Sequence, residues 1–262
     1  LVDKDIFKVS DDNFKGGKNM ANTAAFFDID GTLFRNSLMI EHFKKLIKYE
    51  VIDPRVWHGR LKDYYSEWEK RYGDFNDYMD ELVKIYVKEL RGINKSYIEF
   101  VASQVINMNW DKVYRYTRSR INWHRQEGHM IFFISGAPDF LVEKMAEKYK
   151  VTAYKATQYI VDENNNFTGE VLSMWDSENK QRSINQLVCS YQVDLDKSFA
   201  YGDTTGDLSM LKIVGNPVAV NPVKKLLQAI KKDEDLSKKA KIIIERKDVI
   251  YRTTPEVEIL DI

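Results

Sequence analysis

The sequence predicts an α/β protein: a Rossmann-like parallel sheet core with helices on both faces, plus an inserted α-helical cap domain. Three observations predict it. Short apolar runs at residues 23–29 (TAAFFDI), 129–135 (HMIFFIS), 197–201 (KSFAY) and 217–220 (PVAV) read as buried strands. Helix-patterned segments separate the later runs, and that alternation builds parallel sheets covered on both faces. After the first strand, a long stretch of helical texture interrupts the alternation.

Taken in order, residues 1–19 are polar and are expected to form a leader or a flexible N-terminal arm. Residues 20–36 and 118–262 are assigned to the core, and residues 37–117 to the helical cap. Aromatics recur in the cap at helical spacing, among them Phe43, Trp57, Tyr64, Trp68, Tyr78 and Tyr86, and most are expected to pack its interior. Asp53-Pro54 and Arg91-Gly92 punctuate this block. The strand at 129–135 is expected to close in a turn, Ser135-Gly136-Ala137-Pro138, before a helix reading DFLVEKMAEKYK. Residues 151–172 read as extended segments around the polar turn DENNN, and residues 180–191 as a helix. A helix (DLSMLKIV), the strand PVAV and a helix (NPVKKLLQAI) follow. Residues 231–241 read as a solvated helix or loop, and 241–245 with 249–251 as a late strand or hairpin.

Composition bounds the function. The 262 residues are 44% hydrophobic, enough for a substantial core without disulfides. Lys plus Arg and Asp plus Glu both total 40, so overall charge gives no case for nucleic acid or an anionic membrane. No apolar run approaches the roughly 20 residues that span a bilayer, so no membrane insertion is expected. Cys189 is the single cysteine and has no intramolecular partner, which fits a cytoplasmic setting.

The chemistry sits at strand ends. Asp28-Ile29-Asp30-Gly31-Thr32 follows the first strand, and residues two apart on a strand face the same side. Asp28 and Asp30 are therefore expected to share a site at the carboxyl edge of the sheet. Two close carboxylates repel, and a divalent cation removes that penalty for the one it touches. One is then free to act as nucleophile and the other as acid and base. Gly202-Asp203-Thr204-Thr205-Gly206-Asp207 brings two more carboxylates to a second strand end. Magnesium prefers oxygen ligands, so Asp28, Asp203, a backbone carbonyl and waters suit it. Asp207 serves equally well as cap and acidic first turn of the following helix. Ser135 and Gly136 offer a hydroxyl and free N–H groups for a phosphate. Lys180 is one of many lysines, and chemistry alone does not single it out.

The order of these elements, strand–DxDGT, strand–Ser-Gly, a helix-associated lysine, then strand–GDxxxD, resembles the haloacid dehalogenase superfamily of phosphohydrolases. Residues 217–227 (PVAVNPVKKLL) are similar to its phosphoserine-phosphatase-like branch, and the resemblance covers about residues 21–227. It implies a magnesium-dependent hydrolase of small phosphomonoesters. It implies Asp28 as the phosphorylated nucleophile and Asp30 as acid and base. It implies Thr32 as a support of the turn and, with Ser135, Gly136 and Lys180, as a phosphate ligand. Asp203 would hold magnesium with Asp28 and Asp30, the latter through its backbone carbonyl, and Asp207 would support that site. The branch carries a glutamate soon after its first motif to read a substrate amine. Here that stretch is Phe34-Arg35-Asn36-Ser37, which argues against phosphoserine. Arg35 faces either solvent or a second anionic group. Two other readings compete: a phosphotransferase or mutase of the same fold, and a non-catalytic phosphate-binding or signalling module.

Overall fold

The computed structural model of the chain describes residues 21–260, so the expected leader at 1–19 lies outside the described residues. The chain opens with β1 (Ala24–Phe27), then enters α1 (Leu38–Lys48), α2 (Arg60–Glu69), α3 (Phe75–Leu90) and α4 (Lys95–Asn109). It returns through α5 (Arg115–Gln126), β2 (Met130–Pro138), α6 (Asp139–Tyr149) and the hairpin β3 (Ala153–Val161) and β4 (Phe167–Leu172). Then come α7 (Ser177–Tyr191), β5 (Phe199–Gly202), α8 (Leu208–Ile213) and β6 (Asn216–Val220). The described chain closes with α9 (Lys224–Lys232), α10 (Glu234–Lys239), β7 (Lys241–Arg246) and β8 (Val249–Thr253).

The eight strands of the described residues join one sheet in the order β4-β3-β2-β1-β5-β6-β7-β8. The six from β3 to β7 run parallel, and the outermost β4 and β8 are antiparallel. Strand order reverses at β1, with β2 on one side and β5 on the other, so the crevice for a ligand opens at the carboxyl end of β1. Phe27 is level with Phe133 on one neighbour and Tyr201 on the other.

Period-two alternation divides the core. Ala24, Phe26, Phe132, Ile134 and Ala200 pack on one face with Ile184 of α7, Met210 of α8 and Ile230 of α9. Ala25, Phe27, Ile131, Phe133 and Tyr201 join a second cluster with Phe140 of α6 and with Phe43, Tyr78 and Tyr86 of the helical insert. The insert therefore does not enclose a core of its own. Its buried aromatics are continuous with one face of the sheet, each adding about 2–3 kcal/mol of burial.

Local chemistry sets the helix starts. The side chains of Ser37, Asp74, Asn94 and Asp176 accept hydrogen bonds from the first turns of α1, α3, α4 and α7. At the insert's base two stretches of chain run side by side. Phe34 bridges Val113, Tyr114 N–H donates to the Leu33 carbonyl at 3.0 Å, and Arg35 N–H donates to the Lys112 carbonyl at 3.2 Å. A second tie comes from the hairpin, where Gly92 N–H donates to the Phe167 carbonyl and Lys95 N–H to the Asn165 carbonyl, each at 2.8 Å. Helix α5 spans the expected cap–core division at 117/118, and the returning stretch crosses the outgoing one at Val113–Tyr114.

Two local expectations need correction. Ser135–Pro138 is not a turn but the end of β2, where the register with β3 shifts between Ile134 and Pro138. Strand β1 stops at Phe27, so Asp28 and Asp30 are presented by the turn after it, not by strand alternation. The segment after Thr204 opens as a short 3-10 turn, Thr205–Asp207, before α8. Residues 234–239 are helical and anchored by the buried Leu236. Among the described residues no helix is long and apolar enough to cross a membrane.

Candidate active site

Asp28 stands just beyond β1, and its N–H still extends the ladder to the Tyr201 carbonyl at 3.0 Å. The chain then turns sharply: Thr32, Leu33 and Phe34 N–H groups donate to the Ile29 carbonyl, and Gly31 N–H donates to the Phe34 carbonyl. Gly31 holds φ +86°, and a Cβ there would lie 2.1 Å from Asp203 Oδ2, so both conformation and space demand glycine. The Thr32 hydroxyl donates to Asp203 Oδ1 at 2.8 Å, joining the first acidic turn to the second.

The second turn follows β5. Asp207 folds back so that its Oδ2 accepts the N–H groups of Asp203 and Thr204, both at 3.0 Å. A Cβ at Gly202 would fall 2.4 Å from Asp207 Cβ, which is what admits this packing. From α7, one turn past its Asp176 cap, Lys180 places Nζ 2.6 Å from Asp28 Oδ1 and 2.6 Å from Asp207 Oδ1. Lys180 is 3% exposed and Asp207 fully buried, so these are desolvated charge contacts.

Oxygens of Asp28, Asp203 and Asp207 lie within 4.8 Å of one another. Three carboxylates face one ammonium there, so two negative charges remain uncompensated when all are ionised. The electrostatics carry that imbalance. Burial pushes the Asp28 carboxyl up to about 7, Lys180 opposes the rise and Asp207 adds to it. Burial, then Asp28 and Asp207, hold Asp203 well above the carboxylate range. Burial disfavours the Lys180 ammonium, but Asp207 and Asp28 outweigh it and hold the group protonated.

Hard, buried oxygen donors with excess negative charge fit a divalent cation. Asp28 and Asp203 are the residues suited to hold it, since Lys180 and Thr32 each engage only one of their oxygens. Asp207 is different: both its oxygens are committed, to Lys180 and to backbone N–H groups, so it braces the loop and the lysine.

Asp30 lies apart from that group. Its Oδ1 accepts the Leu38 N–H at the start of α1, at 3.0 Å. Burial raises its carboxyl to about 6, against the Leu38 N–H and the Ser37 hydroxyl. Ser135 is buried one strand from Asp28 on the same sheet edge, and its Oγ accepts the Ala137 N–H at 3.1 Å. Gly136 underlies a crossing segment: a Cβ there would meet Trp175 Cβ at 3.0 Å, and one at Gly206 would meet the Trp175 carbonyl oxygen at 2.8 Å.

Sequence reasoning did not single out Trp175, which crosses between the Ser-Gly strand end and the second acidic turn. Nor did it single out Tyr114, whose hydroxyl is raised by burial and by Asp203, with Arg35 5.7 Å from its ring centre. The aspartate after Trp175 is a helix-start signal and marks the neighbourhood; nothing local marks Tyr114.

Comparison with known proteins gives the family and agrees with the fold. A family model described as haloacid dehalogenase-like hydrolase matches residues 25–212. The chain is 29% identical over 212 residues to an inhibition of morphological differentiation protein of Streptomyces azureus, covering 79% of this chain and 76% of the relative. It is 24% identical over 226 residues to a histidinol-phosphatase of Neisseria meningitidis, covering 83% and 94%. A solved phospho-aspartyl intermediate analogue of phosphoserine phosphatase superposes with a TM-score of 0.56 at 20% identity, covering 87% of this chain and 96% of that one.

Proposed function

The chain belongs to the haloacid dehalogenase-like hydrolases, and from that premise we propose that it is a phosphatase that hydrolyses a small phosphomonoester through an aspartyl phosphate on Asp28. One observation carries the reading: Lys180 bridges Asp28 and Asp207 at 2.6 Å inside a buried cluster of three carboxylates. A buried cation beside a carboxylate at a sheet edge suits a phosphoryl group, whose transfer depends on positioning and charge stabilisation.

In the proposed reaction a carboxylate oxygen of Asp28 attacks phosphorus in line, forming the Asp28 O–P bond as the ester P–O bond breaks. Asp30, as a carboxylic acid, gives its proton to the departing alkoxide. The resulting Asp30 carboxylate takes a proton from water, which attacks phosphorus and breaks the Asp28 O–P bond. Phosphate leaves, Asp28 is restored, and Asp30 again carries its proton. Lys180 meets the equatorial oxygens, and Ser135 with the Gly136 N–H provides further donors. Leu38 N–H and the Ser37 hydroxyl fix Asp30 away from the cation site, which keeps acid–base work separate from cation binding. A magnesium ion held by Asp28 and Asp203 would supply charge neutralisation for the phosphoryl oxygens. The stretch Phe34–Ser37 offers no acid for a substrate amine, and Glu41 instead accepts from Asn36 at 2.8 Å, so phosphoserine is not the substrate proposed.

The test is release of phosphate from an aryl phosphate with magnesium and no acceptor alcohol. Asp28→Asn is expected to cut turnover at least about a thousandfold with an unchanged circular dichroism spectrum. Turnover that survives in this variant rejects the nucleophile; product appearing only with an added acceptor favours a phosphotransferase. Magnesium at about 100 times its Kd is expected to stabilise the wild type by about 2.7 kcal/mol, seen as a raised melting temperature, and Asp203→Asn is expected to lose that response.

A further inference from the structure

We propose that the cavity where the two stretches of chain cross at the base of the helical insert is a binding site for a phosphate-type polyanion. The cavity has a volume of about 530 Å³ and lies beside the catalytic cluster without including any of its residues. Its walls come from both crossings: Arg35 on the outgoing stretch, Lys112, Arg115 and Arg118 on the returning one. Phe34 and Val113 are the apolar members of the lining, so an acyl chain finds little to bury against.

Charge is what makes this cavity specific. Among the described residues, none of these four cations forms a salt bridge. Lys112 Nζ donates to the Asn109 side chain at 2.7 Å, the Arg115 guanidinium donates to the Asp248 carbonyl at 3.4 Å while its backbone N–H donates to Glu245 Oε1 at 2.9 Å, and Arg35 lies over the Tyr114 ring. Of the two acids in the lining, Glu41 is turned to Asn36 at 2.8 Å and Lys44 at 3.5 Å, and Asp111 pairs with none of the four. Four cations against two acids leave two positive charges facing a concave surface, in a chain whose total charge is zero. Guanidinium groups present forked donors that match phosphate oxygens, so an anion with two or more charges is the complementary ligand. The bridge Phe34–Val113 and the bond from Arg35 N–H to the Lys112 carbonyl form the floor between the walls. A bound anion therefore pins the helical insert to the sheet at its crossing point.

That phosphate chemistry has two sources: a free anion, or the second anionic group of a substrate, the latter resting on the phosphatase reading above. Pyrophosphate is titrated calorimetrically into metal-free full-length protein, where the negative catalytic cluster repels it. Arg115→Gln/Arg118→Gln is expected to weaken binding at least about tenfold, and Glu41→Gln to tighten it. No binding to the wild type, or equal affinity in all three proteins, overturns the site. With binding in hand, a sugar bisphosphate and an aryl phosphate are compared as substrates. A drop in kcat/KM confined to the bisphosphate in the double variant identifies the substrate's second phosphate as the occupant. Unchanged kcat/KM for both identifies a free anion.

Discussion

Two buried polar groups of this protein, one at the sheet edge and one in the helical insert, solve the same problem in opposite ways. In the insert, His42 Nδ1 lies 2.6 Å from the Tyr86 hydroxyl and Nε2 3.3 Å from the Ile98 carbonyl. Burial pushes the imidazole down to about 3, so a neutral ring accepts from Tyr86 and donates to Ile98. Every polar atom of that ring is satisfied without charge. At the sheet edge Lys180 is charged, its partners are charged, and the sum does not cancel. A neutral network completes a fold by itself, whereas an unbalanced one is held by its surroundings and waits for a ligand.

The largest effect that tests this contrast is removal of the buried ammonium. Lys180→Met strands Asp28 and Asp207 and is expected to cost about 3–5 kcal/mol, lowering the melting temperature by on the order of 10 °C. An unchanged melting temperature would mean the cluster is not ionised in the folded state. A smaller effect belongs to the insert. His42 has an unfolded value near 6.5, so the unfolded chain binds the extra proton between pH 6.5 and about 3. Its contribution is complete above pH 6.5 and falls as acid is added, by about 1.4 kcal/mol per pH unit. Urea midpoints measured from pH 4 to 7.5 are expected to show a shallower acid loss in His42→Gln than in the wild type. The smallest effect is at the surface. Arg55 and Asp53 form an exposed pair, and Arg55→Ala is expected to move the melting temperature by no more than about 1 °C. A larger shift would show that exposed charges, not only buried ones, shape this fold.

Strands β1, β2, β5 and β6 were legible because each carries a short apolar run with turn residues near its end. Asp28, Asp30 and Asp203 were legible as acids at those ends. Ser135–Pro138 was misread because Gly and Pro signal turns locally, while β3 alongside keeps the segment extended, as in the bond from the Thr157 hydroxyl to the Gly136 carbonyl at 2.8 Å. Helix α5 continues the helical texture of the insert while packing on the sheet, so texture alone marks no boundary there: Ile121 and His124 are buried.

By itself the sequence determined the alternation of strands and helices, the glycine at Gly31 and the acids that follow two strands, because periodicity and turn chemistry act over a few residues. Only the tertiary structure decided which lysine meets Asp28, 152 positions away in the chain, and that Asp207 spends its oxygens on Lys180 and backbone N–H groups. It also decided that Arg35, Lys112, Arg115 and Arg118, none in a salt bridge among the described residues, gather at the crossing of two distant stretches. Such partners are chosen by sheet order and register, which bring together residues whose local sequence carries no record of one another.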